Sequence, residues 1–129
     1  MMKELVTKVE KVLTQMGIPA AEARTENEGQ WNIAKDENVE LMLDVWEEDE
    51  HLYFQVLSYV CDLQDESNPA FLKMLLEENH GFCETAFTIL DGQVFLKYTS
   101  EADEIDEQRI YRSITRIAYY NDMFREKLK

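Results

Sequence analysis

The chain has little of what a disulfide-stapled, membrane-spanning or nucleic-acid-binding protein needs. Two cysteines in 129 residues, Cys61 and Cys83, cannot build a disulfide framework, and they read as reduced core thiols behaving as small hydrophobes. No apolar run approaches the roughly 20 residues that cross a bilayer. The amino end, MMKELVTKVEKVL, is a charged amphipathic helix rather than a secretory signal, so the cytoplasm is the expected location. Basic residues are scarce as well: 13 Lys and Arg stand against 27 Asp and Glu. The formal charge of -14 repels phosphate backbones and anionic membranes and favours, if any charged partner, a basic one. Four glycines and two prolines leave no glycine-rich phosphate loop. A nucleophile elbow, a paired metal motif, an internal repeat, a low-complexity segment and a dividing linker are missing too. What remains, at 45% hydrophobic and 31% charged residues, has the proportions of one globular domain over residues 1–129, long enough to bury a core.

Apolar residues recur at Leu5, Val9, Val12 and Met16, with Leu13 widening the stripe, which predicts an amphipathic helix over Met2 to Met16. Gly17 stops it and Pro19 blocks its resumption, and AAEARTENEG reads as a loop holding at most a short helical turn. Trp31 and Ile33 open a strand that turns over Lys35 to Asn38. In VELMLDVW, Val39 to Trp46, alternate residues Val39, Leu41, Leu43 and Val45 make an apolar face while Glu40, Met42, Asp44 and Trp46 make a mixed one. After an acidic turn at Glu47 to Glu50, HLYFQVLSYVCDL places Leu52, Phe54, Val56 and Val60 on one face and Tyr53, Leu57, Tyr59 and Cys61 on the other. Apolar weight on both faces implies that the second face is covered by another part of the chain or by a partner.

Asn68 before Pro69 is a helix start with an Asn cap and proline at the first position. That helix runs to Gly81, placed to give a left-handed ending. ETAFTIL and QVFLKYT flank Asp91-Gly92, a type I′ hairpin signal. Acidic residues between Glu101 and Glu107 suit the positive end of a closing helix whose stripe holds Ile110, Ile114, Ile117, Phe124 and Leu128, with Asn121 as its single polar member.

The expected fold class is therefore α+β: an antiparallel five-stranded sheet with elements in the order α-β-β-β-α-β-β-α. That order, the LLEEN segment of the middle helix, the short passage through Gly81 into an aromatic strand, the Asp91-Gly92 hairpin and the long closing helix resemble the YbjN family. The fold of that family is similar to class I chaperones of type III secretion. As sequence texture the resemblance covers Leu75 to Tyr120. It implies a small, acidic, non-enzymatic protein without cofactor, frequently dimeric, in a class whose secretion chaperones hold extended client segments on their surfaces.

The residues themselves offer no catalytic or metal set. His80 and Cys83 lack the further ligands of a zinc site and the base of a catalytic thiol, and read as a helix-end histidine and a core cysteine. Neighbouring Glu77 and Glu78 point apart on their helix, and Glu47 to Glu50 lacks calcium-loop spacing. Two surfaces stand out as candidate partner-binding sites. Trp46, Tyr53, Leu57 and Tyr59 lie on the second sheet face, and Arg109, Arg112 and Arg116 form a basic stripe on the closing helix beside Tyr111, Tyr119 and Tyr120. The stripe reads as intramolecular pairing with acids such as Asp106, as simple solvent exposure, or as a contact for an acidic partner or second subunit. Two functions follow. One is a homodimeric, chaperone-like or regulatory module that uses the apolar residues of the second face, with the closing helix, to hold a protein segment. The other is a small-ligand or minor enzymatic pocket between sheet and helix near Asn121, Cys83 and His80.

Overall fold

The structure is a computed structural model and describes residues 1–34, 39–63 and 68–128. Helix α1 (Met2–Gln15) buries Leu5, Val9, Val12 and Leu13. Gly17 follows at φ 80, the left-handed conformation that ends a helix without a Cβ penalty. One turn, α2 (Ala20–Ala23), leads to strands β1 (Gln30–Ala34), β2 (Glu40–Glu48) and β3 (His51–Asp62), helix α3 (Pro69–His80), strands β4 (Ala86–Leu90) and β5 (Gln93–Glu101), and the closing helix α4 (Glu107–Lys127). The expected turn at Lys35 to Asn38 lies outside the described residues. The sheet is antiparallel in the order β1-β2-β3-β5-β4. The last strand therefore returns to the centre and leaves β4 at the edge.

One face of the sheet carries the core. Leu41, Leu43, Val45, Phe54, Val56, Leu96 and Tyr98 meet the expected α4 stripe, in which Ile110, Ile114, Ile117, Asn121 and Phe124 are all buried. Two helix starts are capped by side chains, the first as the sequence predicts. Asn68 accepts from Ala70 N and Phe71 N, and Asp106 accepts from Arg109 N. Helices α1 and α2 and strand β1 are tied by one polar knot: Trp31 Nε1 donates to Glu10 Oε2 at 3.0 Å, and Arg24 grips both oxygens of that carboxylate at 2.6 and 2.7 Å. The Arg24 bond, aided by Trp31, outweighs desolvation and holds Glu10 below the usual carboxylate range.

Three local expectations are corrected. Gly81 is right-handed at φ -92, because the α3 end is closed by Gly81 N donating to Glu78 O and Phe82 N to Asn79 O, three residues back. The left-handed residue of that passage is Glu84, at φ 55. The acidic turn narrows to Asp49 and Glu50, both left-handed at φ 52 and 68, the same turn geometry as Asp91 and Gly92 at φ 51 and 75. Finally, neither cysteine is fully buried: Cys83 is exposed, and Cys61 is half-buried against the core.

Candidate protein-binding surface

Period-2 alternation sends every second side chain of the sheet away from the helices. On that side the register sets Trp46 opposite Tyr53 and Met42 opposite Leu57, and across the next ladder Tyr59 opposite Phe95. Trp46 and Tyr53 stack with centroids 5.6 Å apart and planes 19° from parallel, and Tyr59 meets Phe95 edge-on at 6.1 Å. These contacts half-bury most of the row, while Tyr59 is still 44% exposed. None of the four described helices packs over this face: α1, α2 and α4 lie on the core side and α3 runs against β4. The expected cover is thus not supplied by any described part of the chain.

A groove of about 430 Å³ runs over this face, lined among others by Asn32, Ala34, Met42, Leu57, Tyr59 and Phe95. The polar groups around it are mostly acidic. By alternation Glu40, Asp44, Glu48 and Glu101 share the face, with Lys97 as the cation among the strand residues on this side. Asp62 joins them by accepting from Tyr59 Oη at 2.8 Å. Asp44 accepts from Gln30 Nε2 at 3.0 Å, yet its burial beneath the row wins and raises its pKa. Burial followed by the carboxylates of Glu101, Glu48, Asp49 and Asp103 likewise pushes the Tyr53 phenol up.

A β-bulge in β3 shapes one end of the groove. Tyr59 pairs with Phe95 and Cys61 with Val94, so Val60 is the extra residue. The bulge turns Cys61 toward the core, where it packs against buried neighbours, and corrects its expected place beside Tyr59. Burial, then the charge of Asp62, raises the Cys61 thiol pKa. Asn121 reaches this kink from α4: its Nδ2 donates to Tyr59 O at 2.7 Å and to Ser58 Oγ at 2.6 Å, while Ser58 Oγ donates to Glu40 O at 2.8 Å. The single polar residue of the α4 stripe therefore pins the backbone that aims Tyr59 outward.

The expected site residues separate into two groups. Trp46, Tyr53, Leu57 and Tyr59 share the open face: Trp46 and Tyr53 stack as one pair, while Leu57 and Tyr59 line the groove with Met42 and Phe95. Arg109, Arg112 and Arg116 lie on α4, on the other side of the sheet, so the second face and the closing helix cannot form one groove. Arg109 pairs with Glu84 and donates to Tyr98 Oη at 3.3 Å. Arg116 lies 4.0 Å from Glu84 Oε1 and donates to Cys83 O at 3.5 Å. The close ion-pair partner is thus Glu84, while Asp106 caps the backbone at Arg109 and adds its charge to that guanidinium's surroundings. Tyr120 packs on Phe82 at 4.5 Å, whereas Tyr111 and Tyr119 are 45% and 56% exposed. Asn121, His80 and Cys83 form no shared pocket: Asn121 is fully buried and bonded into β3, and the other two are exposed around the turn after α3. Among the described residues no group of three or more His, Cys, Asp or Glu side chains is placed to hold a metal, and no helix is long and apolar enough to cross a membrane.

Sequence reasoning passed over Phe95 and Asn79. The alternation Phe95, Lys97, Thr99 in β5 was a usable signal for the first, but its pairing with Tyr59 depends on β5 inserting between β3 and β4. Asn79 accepts from Phe87 N at 2.6 Å and donates to Phe87 O at 3.3 Å, occupying the outer edge of β4 as another strand's backbone would.

No protein-family model matches the chain, so the YbjN resemblance has no such match behind it. No curated protein matches it in sequence. In three dimensions it is similar to a chain in the crystal structure of the ExsC–ExsE complex, with TM-score 0.73 and 16% identity over 99% of this chain and 96% of that one. It is also similar to a chain of the HopA1–SchA chaperone–effector complex, with TM-score 0.70 and 12% identity over 93% and 91%. A third similar chain belongs to the complex of the Yersinia pestis type III secretion chaperone SycH with a stable fragment of YscM2, with TM-score 0.65 and 15% identity over 91% and 96%. At these identities the likeness is one of fold. The α+β arrangement expected from the sequence is the one found, and it is the fold of type III secretion chaperones.

Proposed function

We propose that this protein is a non-enzymatic, chaperone-like binding module that holds a segment of a partner protein on the open face of its sheet. The observation that carries this reading is the uncovered row of Trp46, Tyr53, Met42, Leu57, Tyr59 and Phe95, of which the last four residues line the groove of about 430 Å³. An apolar, aromatic patch left open to solvent is characteristic of an interaction site, and the groove in it offers room for the side chains of an extended segment. The acidic surroundings and the charge of -14 favour a segment bearing basic as well as apolar side chains and disfavour nucleic acid. That the similar solved chains occur in complexes, one described as chaperone–effector, supports the same reading.

The protein acts as a homodimer in this proposal. Support comes from the β4 side, where Leu76, Ile89 and Leu90 are 70%, 44% and 61% exposed, so the client face stays free in both subunits. Light scattering at several concentrations tests the dimer, and a monomer throughout contradicts it. Affinity capture from the protein's own cells tests the client site. Leu57→Glu, a change on the open face, is expected to lose the wild-type partner while keeping the wild-type melting temperature, and unchanged capture contradicts the reading. The genes beside its own separate a dedicated secretion chaperone from a YbjN-type regulator: a secretion operon marks the first.

A further inference from the structure

We infer that the arginines of α4 form an oxyanion site that the chain's own Glu84 partly occupies. The site lies on the opposite side of the sheet from the client groove and stands or falls independently of the proposed function. Arg109, Arg112 and Arg116 fall at spacings of three and four residues, so their guanidinium groups project along one side of α4. They line a pocket of about 160 Å³ together with Glu84, Asp106, Gln108, Tyr98 and Ser113. That volume suits one carboxylate or phosphate with its water rather than a peptide backbone.

The pocket already demonstrates its chemistry. The Glu84 carboxylate pairs with Arg109 and lies 4.0 Å from Arg116, an internal stand-in for a ligand oxyanion. Glu84 is held at φ 55, a backbone conformation that L residues seldom adopt, and its side chain is 43% exposed. It sits in the non-helical passage between α3 and β4. The Arg112 guanidinium makes no hydrogen bond or ion pair among the described residues and brings an unspent planar donor fork to the same pocket. Three cations therefore face two carboxylates, Glu84 and Asp106, the second already accepting from Arg109 N, and an incoming oxyanion completes the balance either beside Glu84 or in its place. The overall charge of -14 does not forbid this, because at physiological salt distant charges are screened beyond about 8 Å.

A carboxylate side chain of a partner and free inorganic phosphate present the same chemistry, and one experiment distinguishes them. The full-length protein is titrated with sodium phosphate, and separately with a short oligoglutamate peptide, at constant ionic strength, while the arginine Nε–Hε resonances are followed by NMR. Arg112 is expected to shift saturably with at least one probe. Glu84→Gln, which removes the internal competitor, is expected to tighten binding by about three- to tenfold. Arg112→Gln is expected to weaken it by a similar factor. Saturation with phosphate alone marks a small-anion site, and saturation with the peptide marks a site for acidic side chains. The inference is overturned if neither probe shifts Arg112 in the folded Glu84→Gln protein, or if Arg112→Gln binds as wild type does. Should Glu84→Gln fail to fold, the wild-type titration and the Arg112→Gln comparison decide between the same two outcomes.

Discussion

Replacing Asn121 by alanine removes the amide that joins α4 to the β3 bulge. Asn121 is fully buried, and its Nδ2 serves two acceptors, Tyr59 O and Ser58 Oγ. Each buried acceptor deprived of its donor costs about 1 to 3 kcal/mol, and the missing atoms leave a small void that adds to the loss. Part of this is offset, because Asn121 Oδ1 has no hydrogen-bond partner among the described residues and its removal relieves that burial. The net expectation is a loss of about 2 to 4 kcal/mol, which lowers the melting temperature of a chain this size by about 7 to 15 °C. Asn121→Asp keeps the shape but turns a donor into an acceptor against two acceptors. It is expected to be at least as damaging at neutral pH and to recover partly in acid, where the protonated carboxyl can donate once. Urea unfolding followed by circular dichroism at both pH values measures each variant. Asn121→Ala within about 0.5 kcal/mol of wild type, or Asn121→Asp as stable as wild type at neutral pH, refutes the assigned role.

Three further perturbations probe the frame of the site. Because burial raises the Asp44 pKa, the folded state binds its proton more tightly than the unfolded chain. The stability this contributes is present below the unfolded pKa and is lost as pH rises through the folded value. Asp44→Asn is therefore expected to raise the urea midpoint at neutral pH and to flatten the slope just above the usual carboxylate range; an unchanged slope counts against this. Gly29 stands at φ 78, and an added Cβ meets Val45 O at 2.9 Å and Val45 Cγ2 at 3.0 Å. Gly29→Ala is expected to cost about 2 kcal/mol or more by urea unfolding, and a neutral result contradicts it. Glu50, left-handed at φ 68 in the tip of the β2–β3 hairpin, is the converse case. Glu50→Gly is expected to stabilise by about 0.5 to 1 kcal/mol, read as a higher melting temperature.

What was legible in the sequence was local or periodic. Asn68-Pro69, Asp91-Gly92 and the α4 stripe each encode their conformation within a few residues, and each is found as written. Alternation in β2 and β3 likewise separated the core face from the face that holds Trp46, Tyr53, Leu57 and Tyr59. Three features depended on distant packing and were not legible. The return of β5 between β3 and β4 brings Phe95 to Tyr59. The bulge at Val60 breaks strict alternation and moves Cys61 to the core side. Glu84, 25 positions before Arg109, becomes its partner because the passage after α3 folds against α4. The basic stripe was visible as composition, but its division between paired Arg109 and Arg116 and open Arg112 is a product of the tertiary fold.

The central claim is that the open sheet face, and not the helical side, meets the partner. A photo-crosslinking amino acid introduced at Leu57, and in a separate variant at exposed Thr7 on α1, tests this in the protein's own cells. The expected result is a discrete adduct with another protein from position 57 and none from position 7. Adducts from position 7 with none from position 57 contradict it.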